Sequence, residues 1–171
     1  MTALRPALAA DAPALSVLAE RTFRDTFGSR NSPENMDLHC ARAFGAGIQR
    51  QEIEDRGVVT TIAEDQGAMV GFSQLHRARA HESVNATRPA ELHRIYVVAE
   101  WQGRGVARDL MQHALDTAAR ELCDWLWLGV WEHNPRAMAF YRKFGLEVVG
   151  SHDFMLGQER QRDLVMAVKL R

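Results

Sequence analysis

The residues best placed to do chemistry in this 171-residue chain are small ones, in the run Gln102-Gly103-Arg104-Gly105-Val106-Ala107. They follow Leu92, Ile95, Tyr96, Val97 and Val98, apolar and β-branched residues that predict a buried strand. They lead into Val106, Leu110, Met111, Ala114, Leu115 and Ala118, the apolar stripe of an amphipathic helix. A strand, a glycine turn and a helix N-terminus together bind anions. Small residues let the backbone come close, unpaired N–H groups point outward, and the helix dipole favours negative charge. A pyrophosphate is therefore expected at this turn. The P-loop pattern fails, because no Gly-Lys-Ser/Thr follows. The dinucleotide fingerprint fails too. Arg108 stands where a third small residue is needed, and no second strand with a ribose-binding acid follows at the required distance.

A second constellation lies downstream, in Glu132-His133-Asn134-Pro135-Arg136-Ala137-Met138-Ala139-Phe140-Tyr141. Asn134 is suited to cap a helix and Pro135 to its first position, so Ala137 and Tyr141 fall one turn apart on one face. Gln102-x-x-Gly105-x-Ala107 after a strand resembles the acyl-CoA-binding motif of the Gcn5-related N-acetyltransferases (GNAT). Asn134-x-x-Ala137-x-x-x-Tyr141 stands at the separation that family's fold requires. The resemblance covers nearly the whole chain, from Leu4-Arg5-Pro6-Ala7 through Val70-Gly71-Phe72 to Gly150-Ser151-His152-Asp153-Phe154. In its wording it is similar to PaiA-type polyamine N-acetyltransferases.

The resemblance implies acetyl-CoA as co-substrate. Ile95, Tyr96 and Val97 would offer a strand edge to the pantetheine arm. Gln102, Gly103, Arg104, Gly105, Val106 and Ala107 would hold the pyrophosphate, and Asn134 and Tyr141 would reach the rest of the arm. Main-chain N–H groups near Val97 would polarise the thioester carbonyl, and Tyr141 would protonate or hydrogen-bond the departing thiolate. An alkylamine, with a pKa near that of Lys at about 10.4, must first lose a proton. Glu91, His93 and Glu132 are the candidate bases. Period-two alternation puts Glu91 and His93 on the face of Ile95 and Val97. The expected reaction is direct transfer in a ternary complex to the primary amine of a small molecule, with a spermidine- or spermine-like polyamine as one acceptor. Glu82, Glu91, Glu132, Asp153 and Glu159 are the acids that would line such a pocket. Two other readings are a protein N-terminal or lysine acetyltransferase and a non-catalytic acyl-CoA sensor.

The elements that must position these residues follow in order. A strand is expected over 2–8 with Leu4 and Leu8 inward, then a helix capped by Asp11 whose face is Leu15, Leu18, Ala19, Thr22 and Phe23. Helical regions follow at Met36–Phe44 and Ile48–Asp55. Val58–Ala63 and Ala68–Leu75 form a hairpin, and Arg77–Pro89 a loop. After the glycine turn and its helix come a strand at Leu126–Trp131, a helix to Phe144 with Gly145 behind it, and strands at Leu146–Leu156 and Asp163–Leu170. The fold class is thus α/β (α+β): a GNAT-like mixed, mostly antiparallel twisted sheet with helices on both faces, in one domain over residues 1–171.

Composition narrows the partners. Hydrophobic residues make up 46% of the chain and the formal net charge is −1, so no global field draws it to nucleic acid or an anionic membrane. Cys40 and Cys123 lack any metal-ligand or redox spacing, and the seven histidines do not pair at ligand spacing on a helix, so no metal is expected. A cytoplasmic monomer or homodimer is the expectation, the closing strands being the edge that a dimer would use.

Overall fold

A computed structural model describes all 171 residues. The strands are β1 (Ala3–Pro6), β2 (Val58–Asp65), β3 (Ala68–Arg77), β4 (Pro89–Val97), β5 (Trp125–Trp131), β6 (Glu147–Leu156) and β7 (Glu159–Lys169). The helices are α1 (Ala12–Phe27), α2 (Pro33–Ala43), α3 (Ala46–Glu54), α4 (Val106–Arg120) and α5 (Pro135–Arg142). The strands form a single seven-stranded sheet in the order β1-β2-β3-β4-β5-β7-β6. Every neighbouring pair is antiparallel except β4 and β5, which are parallel and joined through α4. The expected mixed, mostly antiparallel sheet is what forms. No helix is long and apolar enough to cross a membrane.

Two apolar clusters hold the layers together. Leu75, Ala90, Leu92, Leu126, Leu128 and Met166 of the sheet pack with Met111, Ala114 and Ala118 of α4, and α5 adds Ala137, Met138 and Tyr141 at the rim. Leu15, Leu18, Ala19 and Phe23 of α1 join Met36 and Cys40 of α2 and Phe72 of β3 in the other. Asp11 does not cap α1. Its carboxylate accepts from the Leu8 N–H at 2.7 Å and pairs with Arg5 at 2.8 Å, which leaves Leu8 65% exposed rather than inward. β1 therefore ends at Pro6, short of the expected span.

β4 contains the correction that matters for function. Gln74 pairs with Arg94 but Leu75 pairs with Leu92, so His93 is the extra residue of a β-bulge. The bulge resets the alternation. Beyond it, Ile95 and Val97 lie on the face of Leu92: Ile95 packs with the Leu92 cluster, and Gly71, opposite Val97, faces Leu110 of α4. Arg94 and Tyr96 turn to the other face, Arg94 to Glu52 of α3 at 2.7 Å and Tyr96 to Phe23 of α1. Glu91 and His93 therefore do not share the face of Ile95 and Val97.

Candidate active site

The β4–β5 ladder is short. It pairs Pro89, Ala90 and Glu91 with Trp125, Leu126 and Trp127, and there it stops. From Leu92 onward β4 keeps its ladder to β3 while β5 keeps its own to β7. The two strands part, and the β5-facing main chain of Ile95, Tyr96 and Val97 is left without a strand partner, open to a ligand that carries amides.

At the open end of β4 stands the glycine turn. Gly103 and Gly105 have φ of +75° and +89°, a left-handed backbone that side chains disfavour, which is why glycine is needed at both. The first bond into α4 runs from the Asp109 N–H to the Gly105 carbonyl at 3.0 Å, so the N–H groups of Val106, Ala107 and Arg108 lie ahead of the helical ladder. Gln102 donates to the Val97 carbonyl at 3.3 Å and ties the turn back to β4. The Arg104 guanidinium rests 5.0 Å from the centre of the Trp101 ring and stays exposed beside the turn. Asn134 Oδ1 accepts the Ala137 N–H at 3.1 Å, so its oxygen caps α5 while its amide N–H groups are free to donate.

Tyr141 is half-buried on α5, and burial pushes its phenol up to about 12, so near neutral pH it is held as a proton donor. Burial also raises the Tyr96 phenol, and the nearby Tyr141 adds to the effect. The candidate bases fare differently. Glu91 is buried, with His93 Nδ1 at 3.3 Å from one oxygen and Arg79 Nε at 3.5 Å from the other. Burial alone would raise its pKa, but the His93 hydrogen bond and the charges of His93, Arg79 and His76 outweigh burial and hold it below the usual range. His93 is exposed on the bulge, and Glu132 lies half-buried just after β5.

Sequence reasoning missed a cluster on the β5–β7 side. Asp163 of β7 sits across from Trp131, and His152 of β6 across from Asp163. His152 Nε2 is 3.7 Å from Asp163 Oδ2, and His152 Nδ1 is 3.2 Å from His81 Nε2 in the loop after β3. The available signal was the alternation of Asp163 with Val165 and Ala167, both buried, which places an acid on an inward face. Beside this cluster, at the C-terminal end of β5, opens a cleft of about 380 Å³. Glu132, Asp153 and Glu159 line it, but so do Arg30, Arg160 and Arg162. Glu82, by contrast, is exposed on the loop after β3.

Comparisons with known proteins agree with this geometry. The profile of the Acetyltransferase (GNAT) family matches residues 17–146. An uncharacterized N-acetyltransferase of Lactobacillus delbrueckii subsp. lactis is 32% identical over 156 residues, covering 91% of this chain and 90% of that one. Over a shorter stretch, 52% of this chain and 59% of the relative, a spermine/spermidine N(1)-acetyltransferase of Bacillus subtilis is 24% identical. Among solved structures, the PaiA N-acetyltransferase from Thermoplasma acidophilum in complex with coenzyme A superposes with a TM-score of 0.79 at 19% identity, covering 99% of each chain. A parted parallel strand pair, a glycine turn at its open end and a profile match over most of the sequence lead to one conclusion: the chain belongs to the GNAT acetyltransferase family and is an acetyl-CoA-dependent N-acetyltransferase.

Proposed function

We propose that this enzyme transfers the acetyl group directly to the primary amine of a small molecule, with acetyl-CoA and amine bound together. The observation that carries the proposal is the opening between β4 and β5, which has main chain without a strand partner on one side and the glycine turn at its end. The pantetheine amides pair with Ile95–Val97, and the N–H groups from Gly103 to Ala107 take the pyrophosphate. Asn134 donates to the arm. Main-chain N–H groups near Val97 steady the developing oxyanion, and Tyr141 donates to the departing thiolate. A covalent acyl-enzyme is disfavoured. Cys40 and Cys123 are both buried, and burial raises both thiols, which leaves little thiolate for attack.

The cleft at the end of β5 suits the acceptor. A polyamine is a polycation without an anionic group, and the relative from Bacillus subtilis that acts on spermine and spermidine keeps that acceptor in view. Three of the five acids expected to line a polyamine pocket are there, but three arginines balance them. Balanced charge favours an amine that also carries a carboxylate, such as an amino acid. A peptide N-terminus is the second reading, because most of the lining residues are exposed and a longer acceptor would fit. The deciding experiment is an acceptor screen that reads free CoA, with spermidine, spermine, amino acids and a short peptide. Release with an amino acid above that with spermidine is the expected result. Release with none of the amines overturns the proposal.

A further inference from the structure

Asp163 lies on β7 across from Trp131, which lines the cleft; its side chain is 14% exposed, and the one basic nitrogen within 4.0 Å is His152 Nε2 at 3.7 Å. Behind it the hydrogens run in one direction. The Ser83 main-chain N–H donates to His81 Nδ1 at 3.1 Å, so neutral His81 carries its proton on Nε2. That N–H donates to His152 Nδ1 at 3.2 Å, which leaves the His152 proton on Nε2, aimed at Asp163 Oδ2. Gly129 of β5 provides the clearance. A Cβ there would stand 3.2 Å from Asp163 Oδ2 and 3.2 Å from His152 Cε1 and Nε2.

We infer that Asp163 takes the proton from the acceptor ammonium, and that His152 and His81, fixed in one tautomer by the Ser83 N–H, are positioning residues for its carboxylate. The inference rests on the amine-transfer reading above. The groups facing Asp163 are Glu132 after β5, Tyr96 of β4 and His152 of β6, while Glu82 and Glu91 act on His81 farther back. Burial, and then the charge of Glu132, push the Asp163 carboxyl up to about 6. A base poised near neutral pH serves better than one held far below it, and Glu91 is held down with both oxygens engaged. In the step itself, R–NH3⁺ gives one proton to Asp163 and the freed lone pair forms the C–N bond. The C–S bond then breaks and the thiolate takes the proton of Tyr141. The surplus proton on the new amide nitrogen restores Tyr141, and the proton on Asp163 leaves to solvent with the product.

The test is the pH dependence of kcat/KM with two acceptors, ethylamine and trifluoroethylamine, the second of which is already neutral at pH 7. Asp163→Asn should lose about 100-fold with ethylamine and change little with trifluoroethylamine, while acetyl-CoA binding by calorimetry stays as in the wild type. His152→Ala should move the acid limb to higher pH, because an imidazole N–H dipole aimed at Asp163 Oδ2 from 3.7 Å, beyond hydrogen-bond reach, still favours the charged carboxylate. A merely structural histidine would lower the rate at every pH without moving that limb. Equal losses with both amines, full activity of Asp163→Asn with ethylamine, or lost acetyl-CoA binding would each overturn the assignment. If the wild type turned over no amine at all, the amine reading would fail first and take this inference with it.

Discussion

From Ile95 to Ala107 the groups that face the opening are main chain: a strand edge, then the N–H groups ahead of α4. At the end we propose for the acceptor the groups are side chains: Arg30 after α1 and Glu132 after β5 line the cleft, and Asp163 of β7, His152 of β6 and His81 after β3 form the cluster next to it. The first end is a single run of chain. The second is assembled by the strand order β5-β7-β6, which sets the last strand between two earlier ones. Main-chain groups are the same whatever residue bears them, so the end we propose for the cofactor should fail only where a Cβ or a positive φ is at stake. At the acceptor end each side chain is a separate determinant, and single changes there should alter specificity and pH response.

Breaking the cofactor end should give the largest effect. Gly105→Glu puts a side chain at φ +89° and a like charge beside the pyrophosphate, and acetyl-CoA should bind roughly a thousandfold more weakly in calorimetry. Binding unchanged within a few-fold would separate the turn from the phosphate. Next comes the proposed proton donor: Tyr141→Phe should lower kcat about 100-fold while leaving the acetyl-CoA Kd as it was. Equal kcat would remove Tyr141 from the acid role. Sharpening the acceptor end gives a smaller change. Arg162→Ala should raise KM about tenfold for amines that bear a carboxylate, the loss of one charge-assisted hydrogen bond, and leave the KM for spermidine unchanged. A rise for both acceptors would deny the arginine a role in selection.

The smallest effect is on stability, and its sign follows from Asp163. The folded pKa, about 6, lies above the ordinary aspartate value of 3.8. Well below pH 3.8 the group is neutral folded or unfolded and costs nothing; the cost grows between the two pKa values, and above pH 6 the group is charged in both states and the cost is complete. Asp163→Asn should therefore raise the unfolding free energy by about 1–3 kcal/mol at about pH 8 and by almost nothing at about pH 3. A gain in acid as large as the gain above neutral pH would contradict a buried charge as the cause.

The same contrast decides what was legible in the residues. Gln102 to Ala107 and Asn134 to Tyr141 each lie within one local unit, a turn or a helix start, and local units carry their geometry in spacing. Strand and helix types followed from apolar periodicity for the same reason. The His93 bulge did not, because it exists only where β4 is matched against β3, and one added residue reverses every later assignment of face. Asp163 and His152 lie eleven positions apart on a hairpin and meet His81 only through the folded sheet. Nothing local in either residue marks the meeting. Arg30, Arg160 and Arg162 belong to no local motif, and only the folded chain brings them opposite the acids.

The most direct test of the central claim is a titration of the protein with acetyl-CoA, followed through its backbone amide resonances. The amides of Ile95–Val97 and Gly103–Ala107 should shift strongly and together, with Asn134 following, while those of Arg160 and Arg162 at the acceptor cleft should barely move. Silent amides at the glycine turn, or large shifts at the cleft in their place, would contradict a thioester held between the parted strands.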